Sequence, residues 1–66
     1  MVLKVVEILA SSPKSWEDAA ANAVKEASKS VRGIRSINIS NQSAIVEEGK
    51  ITEYRINCKI SFEIER

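Results

Sequence analysis

From Leu3 to Ala10 the chain is apolar at nearly every position, interrupted by Lys4 and Glu7. A short run this rich in Val, Leu and Ile reads as a β-strand greasy on both sides, with Val6 and Ile8 on one face and Leu3, Val5 and Leu9 on the other. Such a strand needs cover on both faces. Ser11-Ser12-Pro13-Lys14-Ser15 breaks the run and offers two helix starts. Either Ser12 caps with Pro13 in the first helical position, or Ser15 caps with Asp18 three residues on. From Trp16 the apolar period becomes helical: Trp16, Ala19, Ala20, Ala23, Val24, Ala27 and Val31 trace one stripe, while Glu17, Asp18, Asn22, Lys25, Glu26 and Lys29 lie off it. The alanines predict a helix that approaches its sheet closely. Acidic residues open it, Lys25, Lys29 and Arg32 close it in keeping with the helix dipole, and Gly33 is the expected stop.

Between Ile34 and Glu48 the period changes to two, with Ile37, Ile39 and Ile45 at odd positions and Ser36, Asn38, Ser40 and Gln42 at even ones. This predicts a strand with one dry and one polar face, and Asn41–Ser43 mark a bend or bulge. Glu48-Gly49-Lys50 is a tight turn in which Gly49 supplies a positive φ. The final segment alternates most regularly: Thr52, Tyr54, Ile56, Cys58, Ile60, Phe62 and Ile64 on the core side, Glu53, Arg55, Asn57, Lys59, Ser61, Glu63 and Glu65 on the other. Strand, helix and long hairpin define an α+β fold, β-α-β-β, with a three-stranded antiparallel sheet packed on one helix, in a single domain over residues 1–66. One helix cannot cover long strands, so the outer face of the first strand stays wet in a lone chain, and such a patch marks an interface.

Size sharpens that point. A domain of 66 residues buries only about 60% of the surface its unfolded chain exposes. The single Cys58 excludes an internal disulfide, and the absence of histidine argues against structural zinc. Association with further copies is the favoured remedy, although a helix–sheet domain of this length also folds alone. A net charge of +1 supplies no field to steer the chain to nucleic acid or to an anionic membrane. MVLKVVEILA is too short to span a bilayer and lacks the basic start and cleavage site of a signal peptide. A cytoplasmic location is expected, and the unpaired cysteine agrees with it.

Little in the chain points to catalysis. A serine or cysteine nucleophile needs a nearby base, usually histidine, and Cys58 stands at core parity, where it reads as a small buried apolar residue. No enzyme is expected. Calcium takes about six to eight oxygen ligands. Glu17 with Asp18, or Glu47 with Glu48, would contribute where symmetry brings copies together; otherwise each pair is ordinary helix-start or turn solvation. Ser36, Asn38 and Ser40 are expected on the same side as Glu53, Arg55, Asn57 and Lys59. That face is either a hydrated surface of cross-strand pairs or the lining of an oligomer interior or ligand pocket. Trp16, in register with the alanine stripe, reads as a core plug and not as a flavin-stacking ring.

Several strings together resemble the dodecin family: Val5-Val6-Glu7-Ile8-Leu9-Ala10-Ser11-Ser12-Pro13 its opening strand and turn, Ser15-Trp16-Glu17-Asp18-Ala19-Ala20 its helix start, and Gly49-Lys50-Ile51-Thr52-Glu53-Tyr54-Arg55 with Ser61-Phe62-Glu63 its closing hairpin. The resemblance covers essentially the whole chain. It implies a hollow homododecamer of cubic-type symmetry whose sheets wrap around the helices. It also implies a flavin site in which tryptophans from symmetry-related subunits stack the isoalloxazine ring and a glutamine holds the ring edge. The tryptophan belongs two residues after Ile34, where this chain has Ser36, and the glutamine after Tyr54, where it has Arg55. Serine has no π face, so the expected function is a non-enzymatic oligomeric binding or storage protein with flavin binding weakened or lost. The alternative is a riboflavin or FMN storage dodecin with a rearranged pocket. Ser15-Trp16-Glu17 and Tyr54-Arg55 resemble the calcium dodecin branch, which implies a calcium site with Glu17 as the first candidate ligand.

Overall fold

Of the two serines that offer a helix start, Ser15 caps. Its backbone is extended (φ −171°, ψ 165°) and its Oγ accepts the Asp18 N–H at 2.9 Å. The computed structural model describes residues 1–64, so Glu65 of the expected polar row lies outside the described residues. The elements are β1 (Leu3–Ser12), α1 (Trp16–Ala27), β2 (Ile34–Glu47) and β3 (Lys50–Glu63), in one antiparallel sheet of order β1-β3-β2. This is the β-α-β-β fold that the periodicity predicts.

Ser11 and Ser12 do not break the first strand; they complete it, pairing with Arg55 and Tyr54. Ser12 is buried, accepts the Lys14 N–H at 2.9 Å and donates to Asp18 Oδ2 at 2.6 Å. It thereby ties the end of β1 to the first turn of α1. Ser12→Ala removes the acceptor of the part-buried Lys14 N–H and leaves Asp18 Oδ2 with only the 3.5 Å contact from Asn22, and is expected to cost about 1 kcal/mol. A urea midpoint equal to that of the parent chain would contradict this reading.

The helix ends at Ala27, well before Gly33. Ser28 caps it in the αR region: its N–H reaches the Val24 carbonyl at 2.9 Å, and its Oγ donates to the same oxygen at 2.7 Å. A serine that bonds back to the preceding turn competes with helix propagation, and the chain continues in turns, with Lys29 N–H on Glu26 O and Val31 N–H on Ala27 O. Of the three basic residues expected to close the helix, only Lys25 stands in its last turn. Gly33 serves a different purpose. At φ +73° it leads into β2, its carbonyl accepts the Glu63 N–H at 2.9 Å, and a Cβ there would lie 3.4 Å from the Glu63 carbonyl oxygen.

The hairpin closes through Glu47 and Lys50, with Glu48 (φ 52°) and Gly49 (φ 78°) both in the left-handed region. Two positive φ values in a two-residue loop match the twist of the flanking strands. The sequence signalled only the second. The β2–β3 register then shifts at three places, between Ile34 and Ser36, Ile39 and Asn41, and Ile45 and Val46. The middle shift corrects two expectations. Ile37 and Ile39 pair with Ile60 and Cys58 on the helix side, but Ser40 has no partner and the parity inverts beyond it. Gln42 and Ala44 pair with Ile56 and Tyr54, whereas Ile45 pairs with Glu53 on the far face. Ile45 therefore does not share a face with Ile37 and Ile39, and neither Ser40 nor Gln42 joins the polar row of Ser36 and Asn38. An extra residue in one strand reverses every side chain after it.

The buried apolar core is Ala19, Ala23, Ile56, Cys58 and Ile60, and Ile60 is its largest fully buried side chain. Ala19 and Ala23 let α1 sit close on β3. A 12-residue helix is about 18 Å long, whereas a 14-residue strand runs about 46 Å. The helix covers the middle of β3 and leaves both ends open, which is why Thr52 and Ile64 are exposed despite their core parity. The molecule measures 51 × 19 × 13 Å, with a radius of gyration of 13.4 Å and an accessible surface of 4965 Å². A self-sufficient globule of this size would have a radius of about 10.8 Å and expose about 4,200 Å². On the face away from the helix, Leu3 is 46%, Val5 56% and Leu9 74% exposed.

Candidate functional site

The sheet face turned from the helix is built of rows that the register sets side by side. Across β1, β3 and β2 these run Ser11–Arg55–Ser43, Leu9–Asn57–Asn41, Glu7–Lys59–Asn38 and Val5–Ser61–Ser36. The central strand contributes a polar strip, β1 a mixed flank in which Glu7 stands between the apolar Val5 and Leu9, and β2 hydroxyl and amide groups. Side chains directly opposite in such rows have Cβ atoms about 5 Å apart.

Ser36 and Arg55, the two positions tied to the flavin site by resemblance, share this face but do not meet. Ser36 bonds through its hydroxyl to Ser61, six residues along β3 from Arg55, or about 20 Å. A pocket bounded by both must take them from different copies of the chain. Around Arg55 there is a hollow of about 240 Å³ lined by Leu9, Ser11, Ser43 and Asn57, together with Ala10 and Ile56. The Asn57 Oδ1 is buried without a hydrogen-bond partner among the described residues. The salt bridges among the described residues are Lys29–Glu26 and Arg35–Glu63, and Arg55 takes part in neither. Sequence reasoning placed Arg55 and Asn57 on this face but missed Ser11 and Ser43. Ser11 falls in the stretch expected to break the first run ahead of the helix, and Ser43 comes to this side only through the parity change at Ser40.

Glu17 is exposed in the first turn of α1. Its neighbour Asp18 is engaged elsewhere, its Oδ2 accepting from Ser12 Oγ at 2.6 Å and from Asn22 Nδ2 at 3.5 Å. Among the described residues no group of three or more Asp, Glu, His or Cys side chains is gathered to hold a metal ion. The donor chemistry of Glu17 suits calcium, but one chain offers a single free carboxylate there, so a calcium site needs ligands from further copies.

Trp16 lies on the opposite side of the sheet from Arg55, half-buried against the core. Its Nε1 donates to the Ser43 carbonyl at 2.9 Å and its ring meets Tyr54 edge-on, centroids 4.9 Å apart. It plugs the helix–hairpin junction, as its register predicts. Cys58 is fully buried; burial pushes its thiol up and keeps it protonated, and Sγ lies 3.5 Å from the Ile8 carbonyl. Among the described residues no helix is long and apolar enough to cross a membrane.

A small β-α-β-β domain, one helix on a three-stranded antiparallel sheet, is the fold of the dodecins. The dodecin family model matches residues 2–65, and the chain belongs to that family. Its sequence is 47% identical over 64 residues to calcium dodecin of Mycobacterium tuberculosis, covering 96% of this chain and 89% of that one. Among solved structures, the crystal structure of that calcium-chelating protein, described as having a novel calcium-binding site, matches with a TM-score of 0.83 at 44% identity, over 98% of this chain and 93% of the other. Dodecin from Streptomyces coelicolor superposes with a TM-score of 0.93 at 25% identity, over the same shares of the two chains.

Proposed function

We propose that this chain is a non-enzymatic binding or storage protein, one dodecin-like domain over residues 1–66, working in the cytoplasm as a hollow homododecamer without nucleic-acid or membrane partners. The observation that carries the reading is the exposed row of Leu3, Val5 and Leu9 on a body whose own core holds five buried apolar residues. Copies of the same surface are the economical cover for it. Flavin binding is weakened or lost, because Ser36 offers no ring to stack on and Arg55 replaces an amide at the ring edge. Calcium binding is the second element, supported by the similarity to calcium dodecin; Glu17 is the candidate ligand, in a site completed by other copies.

One preparation tests these points together. The native particle is expected to have about twelve times the 7.3 kDa chain mass, to be colourless and to leave added riboflavin fluorescence unquenched. A monomer or dimer in sedimentation overturns the assembly. Strong quenching instead favours the alternative, a riboflavin or FMN dodecin with a rearranged pocket. Chelation is expected to lower the melting temperature, since an ion held only by the folded state must stabilise it; an unchanged melting curve removes calcium from the proposal.

A further inference from the structure

We propose that the hollow beside Arg55 is a phosphate site and that the ligand this face takes is a small phosphomonoester. The inference rests on the reading of position 55 as part of a ligand pocket and names the ligand class. Ser11, Arg55 and Ser43 stand in one row on three adjacent strands, so the arginine has a serine on either side, its Cβ about 5 Å from each serine Cβ. A carboxylate has two oxygens, and the arginine fork alone can take both. A tetrahedral phosphate has oxygens left over for a donor on either side, which is the arrangement the three strands present. Arg55 is exposed and takes part in no salt bridge among the described residues, so its charge is not already spent within the chain. The hollow of about 240 Å³ is larger than a bare phosphate needs, and its remaining wall is Leu9 and the Asn57 amide. Leu9 offers an apolar contact within that wall. The carbon skeleton of an organic ester can lie against Leu9, whereas inorganic phosphate has no apolar part to place there.

Glu53 is the opposing charge. Its Oε2 lies 3.4 Å from Ser11 Oγ, one row beyond the guanidinium. It draws that hydroxyl away from the anion and repels the phosphate, so it limits affinity without filling the site.

The test is isothermal titration of the assembled protein with ribose 5-phosphate in a phosphate-free buffer, with ribose and inorganic phosphate as separate arms. Ribose 5-phosphate is expected to bind more tightly than inorganic phosphate, and ribose not at all. Arg55→Gln is expected to weaken the ester by about tenfold or more, the scale of one charge-assisted hydrogen-bond pair. Arg55→Lys keeps the charge without the fork and should fall between; Ser43→Ala should give a smaller loss and Glu53→Gln a gain. Sedimentation and circular dichroism of each variant should match the parent. Absence of binding by the parent protein overturns the proposal. So does equal affinity of the parent and Arg55→Gln, or a parent arginine occupied by a carboxylate of another copy. Riboflavin, which has no phosphate, is titrated in parallel; its binding bears on the loss of the flavin site and its outcome is independent of the ester's.

Discussion

A Val5→Asp, Leu9→Asp double variant is expected to sediment as a species far smaller than the parent particle and to lose its cooperative melting transition at micromolar chain concentration. Both side chains lie on the face that α1 does not reach, so within one chain the change removes almost no packing. Burying each of them against another copy is worth about 1.5–3 kcal/mol, and a closed particle forfeits that at every subunit. An uncompensated carboxylate in a newly formed interface adds a desolvation penalty. A lone chain then keeps only its five-residue core and loses cohesion. A double variant with the parent's sedimentation and melting behaviour would show that Leu3, Val5 and Leu9 are ordinary surface residues.

The second large effect comes from inside. Ile60→Ala removes the largest fully buried side chain, which stands on the central strand opposite both Val6 and Ile37. Large-to-small changes at such sites cost about 2–5 kcal/mol. Here the value should lie in the upper part of that range, because strands on both sides and the helix above hold the cavity open. Ile34→Val, at the half-covered end of the sheet, should cost less than about 1 kcal/mol. Both are read as urea midpoints at one fixed chain concentration, since the stability of an assembling protein depends on it. Equal losses at the two positions would mean that the core does not lie under α1.

The contrast between these two faces was written in the sequence. Strict alternation from Tyr54 to Phe62 placed Ile56, Cys58 and Ile60 inward, and the doubly greasy run from Leu3 to Leu9 announced a strand needing cover on both sides. Ser15 with Asp18 marked the helix start, where a side-chain oxygen meets a free N–H three residues on. Less visible were features decided by competition or by long-range pairing. Ser28 ends the helix by bonding back to Val24, a choice that composition leaves open when Val31 still continues the apolar stripe. The unpaired Ser40 depends on the register against β3, and with it goes the face of every later β2 residue. The candidate site shows both limits. Arg55 stood out as a departure from the family pattern. Its two serine neighbours come from the stretch that breaks the first run and from the expected bend, and its separation from Ser36 follows only from the pairing.

The order of strands across the sheet also bears on how a newly made chain becomes sticky. β2 and β3 are joined by two residues and pair with near neighbours in sequence, whereas β1 must find partners at the opposite terminus, Leu3 against Glu63. Contacts that close short loops form sooner than those that close long ones. The hairpin therefore precedes the docking of β1, and β1 brings the apolar row with it. Because β1 is made first and its partners last, its apolar residues lie open throughout synthesis and are ordered only when the C-terminal strand arrives, which makes the unfinished chain more prone to stray association than the folded one.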